Sequence, residues 1–387
     1  MKRKRIGIVH PRMTGFGGSE LRPCWIAESL KKDFNITFIT MGDVDLDKLN
    51  AYSGSEISRE QVDILSIPIP AVFKNRFDAL RAYQLSRLCR KIAGQFDVMI
   101  STYNLMDFGR RGIQFIADLS FNDNVRRELD SSDHGLRKWF YRSSAFRRMY
   151  LGLGRRMNGG NPDAWKMNVT IANSVWTQKV FHERYHIKSQ VIYPPVPGKF
   201  PEVDWKRRED GFVYIGRISP EKRIEELVHI LDRVRNKGMN IHFHIYGKLG
   251  NNYYARKIQQ LCEKKRDWIF LEGVVMGDQK IRALSQHKYG ISGRRAEPFG
   301  ISVAEMIKAG CITWVPDAGG QVEIVNTTEL TYNDVEEAVH KIELILGSSA
   351  LQLKLRKHLI IQSKRFSVEK FMQEVYALVR KFFRATS

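Results

Sequence analysis

Short apolar runs closed by glycine, proline or polar turns alternate with stretches of helical period from one end of this chain to the other. The first run, Arg5 to His10 (RIGIVH), is bounded by Pro11 and a glycine cluster and reads as a buried parallel strand. The loop PRMTGFGGSE follows, then the helical pattern LRPCWIAESLKK, then the strand NITFIT. Strand, glycine loop, helix and strand form one right-handed crossover unit of a doubly wound sheet. VDILSIP, FDVMIST and GIQFIAD continue the strands, with the helix FDALRAYQLSRLCRKIAG between two of them. NVTIANS, the helix VWTQKVFHERY and VIYPPV complete this half.

From Pro194 to Gly211 the chain is rich in proline and charge, which marks a linker. The alternation then restarts. GFVYIGR, NIHFHIYG, WIFLEG, KYGISG and ITWVPD read as strands, separated by the helices PEKRIEELVHILDRVRNKG, YYARKIQQLCEKK, DQKIRALSQ and VAEMIKAG. VEEAVHKIELIL and SVEKFMQEVYALVRKFF are terminal helices. The expected architecture is α/β, with one Rossmann-like lobe over residues 1–198, a second over 199–365 and a last helix over 366–387. Two such lobes make a cleft, and ligands of open parallel sheets bind at the carboxyl ends of the strands.

Composition narrows the function. A chain of 387 residues with 43% hydrophobic and 27% charged residues suits a soluble enzyme of two or three domains. Its formal charge of +21 favours an anionic partner: nucleic acid, an acidic membrane surface or a phosphorylated substrate. Cys24, Cys89, Cys262 and Cys311 have neither metal-ligand spacing nor a disulfide framework, so a reducing cytoplasm is expected. The basic start MKRKRIGIVH is too short in apolar residues for a signal peptide or membrane span, and membrane contact is expected to be peripheral.

The chemistry gathers around EPFGISVAE, residues 297–305, where two carboxylates stand eight positions apart. Glu297 falls in a loop ahead of a helix and Glu305 about a turn inside it. A glycine loop opening a helix presents unpaired N–H groups and the positive end of a dipole, which suits a phosphate or diphosphate. Arg294 and Arg295 just before Glu297 add positive charge, and Arg217 and Lys222 follow the strand GFVYIGR. Such cations stabilise a diphosphate leaving group without a metal; the bland alternative is a solvated basic loop. Gly319 and Gly320 follow another strand, where their N–H groups are candidates to cradle phosphate oxygens, with Glu323 nearby. Gly247, Gly250 and Gly273 end strands as well, as ordinary turns or as cleft lining. Gly15, Gly17, Gly18 and Glu20 make a poor dinucleotide fingerprint, because Glu20 takes the third glycine's place. They read as a loop admitting close substrate approach, or as a plain strand-to-helix turn.

Taken in order, GGSE, NVTIANS, IYPPV, GRISPEK, IYGK, FLEGVV, EPFGISVAE and AGGQVEIV resemble the family 4 retaining glycosyltransferases of GT-B architecture over nearly the full length. The resemblance implies that Glu297 contacts the donor sugar and Glu305 the nucleotide ribose. It implies that Arg217 and Lys222 hold the diphosphate, with the N–H groups of Phe299, Gly300 and Ile301, and that Gly17 and Gly18 line the site. It also implies a last helix crossing back onto the first lobe. The donor it leads one to expect is a UDP- or GDP-sugar, and no further cofactor or metal is implied. Many relatives place a histidine at the end of the strand read here as GIQFIADLS, where this chain has Asp118. Asp118 is either a polar contact to donor or acceptor, or the cap of a following turn. His10 is an alternative contact or a structural histidine.

Retention with no evident nucleophile implies front-face attack through an oxocarbenium-like ion pair, the protein contributing position and charge. The acceptor is expected to be a lipid-linked or polysaccharide glycan, as in cell-envelope polysaccharide or lipopolysaccharide synthesis. IYPPV is similar to lipid-linked oligosaccharide mannosyltransferases, but glucosyl- and N-acetylglucosaminyltransferases share the pattern. From Val125 to Met157 basic and aromatic residues interleave (GLRKWFYRSSAFRRMYLGLGRR), as in segments that dock on anionic membranes; the alternative is a solvated helix pair with its aromatics packed inward. Peripheral attachment to the cytoplasmic face of the inner membrane is the expectation. Charge alone suggests a nucleic-acid-binding protein, but no reading module is present and no specific nucleic acid is expected. A nucleotide-sugar epimerase with the same two lobes is the other alternative.

Overall fold

The computed structural model describes residues 3–14, 18–68, 78–117, 149, 152, 159–161 and 163–385. Among these residues the chain divides into two compact units, one running to Pro195 and resuming at Val368, the other covering Val196–Ser367.

In the first unit the elements are β1 (Arg5–Val9), α1 (Leu21–Leu30), β2 (Asn35–Met41), α2 (Leu46–Ser53), β3 (Val62–Ile67), α3 (Asp78–Ile92), β4 (Val98–Ser101), β5 (Ile113–Ile116), β6 (Val169–Ala172), α4 (Val175–Tyr185) and β7 (Gln190–Val191). The strands pair in parallel in the order β3-β2-β1-β4-β5-β6-β7. Strand order reverses direction between β1 and β4, as in a doubly wound sheet. Helix ends follow local chemistry: Asp45 accepts from Lys48 N–H at the start of α2, and Ser174 accepts from Thr177 N–H at the start of α4.

The second unit contains β8 (Glu209–Ile215), α5 (Ile224–Asn236), β9 (His242–Tyr246), α6 (Tyr253–Lys264), β10 (Ile269–Gly273), α7 (Gly277–Gln286), β11 (His287–Ile291), α8 (Ile301–Lys308), β12 (Ile312–Pro316), α9 (Val322–Val325), β13 (Thr331–Tyr332), α10 (Val335–Leu346) and α11 (Ser349–Ser363). Its parallel sheet has the order β10-β9-β8-β11-β12-β13, with the reversal between β8 and β11. That reversal leaves a crevice beyond the carboxyl ends of β8 and β11.

The last helix, α12 (Val368–Arg384), belongs to the first unit. Phe371, Val375, Leu378, Val379, Phe382 and Phe383 recur at helical spacing and join the core containing Ile6, Ile8, Ala27, Leu30 and Phe34. Each such side chain contributes roughly 1.5–3 kcal/mol on burial. Tyr376 Oη donates to Asp33 Oδ2 at 2.7 Å, on the rim of this contact.

The α/β reading holds, with three differences in detail. The segment read as a linker is packed against the second unit. Val196 N–H donates to Phe366 O at 3.0 Å, Lys308 Nζ donates to Val196 O at 2.5 Å, and the Arg356 guanidinium lies 4.3 Å from the Trp205 ring centre. Glu209 and Asp210, read as linker, already belong to β8. Proline and charge correctly mark irregular backbone here, but irregular backbone is not free backbone. Helices α2 and α11 and strand β13 were not anticipated. In α11 the apolar period is blurred because Leu353, Ile360 and Ile361 are exposed while Gln352 and Gln362 are buried. Among the described residues no helix is long and apolar enough to cross a membrane.

Candidate functional site

The crevice at the carboxyl ends of β8 and β11 collects Lys222, Arg294 and Glu297, three of the residues singled out in the second half of the sequence. After β8 the chain passes Gly216 and Arg217 and enters a single tight turn, Pro220–Lys222, which opens with a proline where no N–H is needed. After β11 it forms the loop 292–300. The two segments meet through Lys222 Nζ, which donates to Glu297 Oε2 at 2.6 Å. Arg294 Nη1 approaches the other carboxylate oxygen at 3.3 Å.

The loop carrying Glu297 is held by a buried amide that the sequence reading missed. Gln321, with no exposed surface, donates through Nε2 to Arg294 O at 2.6 Å and to Ala318 O at 3.1 Å. Its Oε1 lies 3.1 Å from the Ser292 hydroxyl, which donates to it. Gly320 N–H donates to Glu297 O at 2.8 Å. Gly319 has φ +82°, and a Cβ on it would meet the Glu297 backbone oxygen at 2.5 Å, so only glycine fits between them. The glycine pair therefore buttresses the glutamate loop. The expectation that both N–H groups cradle phosphate oxygens is corrected for Gly320, whose N–H is already committed.

Charge in the crevice is tightly balanced at Glu297. Burial alone raises its pKa, but Lys222, Arg294 and, farther out, Arg217 outweigh burial and hold it at about 2. Glu297 is thus a carboxylate throughout the neutral range. Arg217 is the more exposed cation: its side chain is 76% exposed, with Glu221 at 3.6 Å. Its backbone is anchored, since Tyr214 Oη donates to Arg217 O at 2.8 Å. Arg295, expected beside Arg294, turns elsewhere. It donates to Asn333 O at 2.6 Å and pairs with Glu226 at 3.4 Å.

Helix α8 starts at the far side of the same loop. Its N-cap Gly300 has φ +104° and supplies no side-chain cap, so among the described residues the first-turn N–H groups have no intrahelical or side-chain capping partner. Phe299 is buried and meets Phe366 edge-on at 5.3 Å, which fixes the approach of the chain. Glu305 lies within α8 as expected from its spacing, and only 5% of its surface is exposed. Its carboxylate accepts from Lys280 Nζ at 2.6 Å. Lys280, on α7, is a second residue the sequence reading missed; it carries no motif, only a position one strand away.

The first-unit candidates fare differently. Asp118 and Gly17 lie outside the described residues, as do residues 125–157 except Met149 and Gly152. Gly18 sits in the turn before α1. His10 is buried at the end of β1, with Nδ1 2.8 Å from the Thr102 hydroxyl. Burial, helped by the nearby Arg22 guanidinium, pushes its pKa down to about 3, so it is a neutral imidazole.

Known proteins resemble this chain in sequence and in fold. Residues 199–366, somewhat less than half of the chain, match the family model for glycosyl transferases group 1. The chain is 21% identical over 236 residues to the GDP-Man:Man(3)GlcNAc(2)-PP-Dol alpha-1,2-mannosyltransferase of Dictyostelium discoideum, covering 55% of this chain and 47% of that protein. The protein of the same name from Neurospora crassa is 25% identical over 249 residues, covering 53% of this chain and 44% of that one. This chain therefore spans about half the length of the curated relatives it matches. Among solved structures, Anabaena HepE in complex with UDP and glucose superposes with a TM-score of 0.68 at 14% identity, covering 98% of this chain and 100% of that one. The fold is that of the GT-B glycosyltransferases, two Rossmann-like lobes, and residues 199–366 carry the glycosyl transferases group 1 domain.

Proposed function

We propose that this protein is a retaining glycosyltransferase that moves a sugar from a nucleoside-diphosphate sugar to a glycan or lipid-linked acceptor. The observation that carries the reading is the Lys222–Glu297–Arg294 cluster beside the uncapped start of α8, at the reversal of the second sheet. Cations and unpaired N–H groups around one ionised carboxylate suit a donor with a charged diphosphate and a polar sugar. Lys222, Arg217 and the N–H groups at Gly300 and Ile301 take the diphosphate, Glu297 the sugar hydroxyls, and Glu305 the ribose hydroxyls.

In the proposed reaction the bond from the anomeric carbon to the diphosphate breaks as negative charge grows on the leaving oxygen. The acceptor oxygen bonds to the same face of the sugar, and its proton passes to that diphosphate oxygen. Fixed cations lower the barrier because they are already oriented before the charge develops, so no metal is needed for this step. The mannosyl and UDP partners of the relatives support a hexose on GDP or UDP. The basic aromatic stretch 125–157 is proposed to hold the protein on an anionic membrane face, where a lipid-linked acceptor is presented.

A thermal-shift series with UDP-, GDP- and ADP-sugars tests the donor reading, because a ligand stabilises by RT ln(1 + [L]/Kd). One sugar nucleotide should raise the midpoint well above the others, and product analysis with that donor should show transfer with retained configuration. No response to any sugar nucleotide, with the protein folded, would sink the proposal. A converted donor sugar without an acceptor would favour an epimerase instead.

A further inference from the structure

At the opposite end of the same sheet lies a cluster that the transfer reaction does not use. Glu209 opens β8, His242 and His244 lie two apart on β9, and His287 opens β11. The order β9-β8-β11 and the parallel register, which pairs His287 with Glu209 and Gly211 with His242, bring all four together. One ligand atom from each lies within 4.8 Å of every other. Because the strands are parallel, this is the amino-terminal edge. It is separated from the crevice by the length of β8, roughly 20 Å at about 3.3 Å per residue.

The side chains are oriented as metal ligands are. His287 is 1% exposed; its Nδ1–H donates to Ala283 O at 2.6 Å, so Nε2 carries the lone pair. That Nε2 is buried, has no hydrogen-bond partner among the described residues, and lies 3.8 Å from Glu209 Oε2. His244 Nδ1–H donates to Glu272 Oε1 at 2.7 Å, which leaves its Nε2 as the acceptor. Its ring centre is 4.6 Å from that of His287. A carbonyl or carboxylate holding the far nitrogen of each ring is the usual outer partner of a metal-bound histidine. His242 Nε2 lies 3.1 Å from Glu209 Oε2. Ligand separations of 3.1 and 3.8 Å bracket the edge of about 3.3 Å expected for a tetrahedron with bonds near 2.05 Å.

Backbone and shell agree with this use. A Cβ at residue 211 would clash with His242 Nε2, so Gly211 is what allows the imidazole to lie across β8 toward Glu209. A cavity of about 400 Å³, lined in part by His242, His244, Trp268 and Phe270, runs alongside and supplies an entry path. The competing cation, Arg235, is held away by Ile241 O and by Asp267 at 3.9 Å.

We propose that Glu209, His242, His244 and His287 form a site for one divalent transition-metal ion of the zinc class, joining the leading ends of β8, β9 and β11. Three imidazoles and one carboxylate suit Zn²⁺ better than Mg²⁺ or Ca²⁺, which take oxygen ligands. With four protein ligands the site is closed, so the metal is a structural clasp and not a reaction centre.

The test uses the untagged full chain with Zn²⁺, and with Co²⁺ as a spectroscopic substitute. One equivalent of Zn²⁺ should survive dialysis, raise the thermal midpoint and be reversed by a chelator. Co²⁺ should give visible absorption bands of four-coordinate intensity. His242→Ala and Glu209→Gln should weaken Zn²⁺ at least about 100-fold, and Glu272→Gln, which touches no metal, roughly 10- to 100-fold. His182→Ala, on the exposed face of α4, should bind as the parent does. Failure of the parent to hold Zn²⁺ at tens of micromolar, or equal retention by the folded His242→Ala protein, would overturn the proposal; the latter means surface adsorption only.

Discussion

Lys222 Nζ donates to Glu297 Oε2 at 2.6 Å although the two residues stand 75 positions apart in the chain. The contact closes the crevice end of the second sheet by tying the turn after β8 to the loop after β11. It also sets the charge state of Glu297, because the ammonium is among the largest forces opposing the effect of burial on its carboxyl group.

Lys222→Met should therefore act on chemistry more than on fold. Loss of one fixed cation at a growing negative charge is worth on the order of 2.7–4 kcal/mol, or about 10²–10³ in kcat. Release of the nucleotide from the donor sugar, measured at saturating donor, checks this. An unchanged kcat would remove Lys222 from the diphosphate site.

Glu297→Gln should abolish turnover while calorimetry shows nucleotide binding largely retained. The variant also has a pH signature. The folded carboxyl sits at about 2 against an ordinary 4.5, so its contribution to stability is present above pH 4.5 and lost as pH falls through 2. That contribution is about 3 kcal/mol at neutral pH. Denaturant titrations across this window should show parent and variant converging as the pH falls, and parallel curves would mean the carboxylate is not held low.

Lys280→Ala should destabilise the second unit more than a surface lysine would. Glu305 is left as a nearly buried, unpaired carboxylate, a defect worth about 3–5 kcal/mol. Adding Glu305→Gln should restore most of the lost midpoint, because the stranded charge is then gone. If the single and double variants melt alike, the 2.6 Å pair contributes little. Glu305→Gln alone should weaken the nucleoside diphosphate more than its dideoxyribose analogue, which lacks the proposed partner hydroxyls.

Membrane docking through 125–157 should appear as co-flotation with vesicles containing anionic lipid at low salt and release at high salt. Each basic residue near such a surface is worth roughly 1 kcal/mol. Reversing Arg137, Lys138 and Arg142 to glutamate should abolish flotation while leaving transfer to a soluble acceptor intact. Flotation equal to the parent would assign docking elsewhere.

Much of the backbone around the second unit's crevice was legible because its signals are local. Glycine before α8 and the apolar run after it state a helix start directly, whereas Pro220–Lys222, read as the start of a long helix, forms a separate turn ahead of α5. The roles of neighbours were less legible. Arg294 and Arg295 are adjacent, yet only Arg294 meets Glu297, because successive side chains of an irregular loop leave in different directions. Gln321 lies inside AGGQVEIV but was not singled out there; its value lies in two bonds to backbone carbonyls and one to the Ser292 hydroxyl, which the motif does not state. HFH at 242–244 did carry a usable hint, since residues two apart on a strand share a face. Its partners at 209 and 287 are visible only once strand order is known.

By itself, then, the sequence determined two parallel sheets with their helices, the position of the glutamate-bearing helix, and a strongly basic chain of +21. These follow from hydrophobic period and from residues whose backbone preference is intrinsic. Only tertiary structure decided which cation meets which carboxylate, Lys222 with Glu297 and Lys280 with Glu305, and which three histidines gather around Glu209. The reason is register. Parallel strands order themselves by crossover and not by sequence, so groups that share a few ångströms are set by which strand ends beside which.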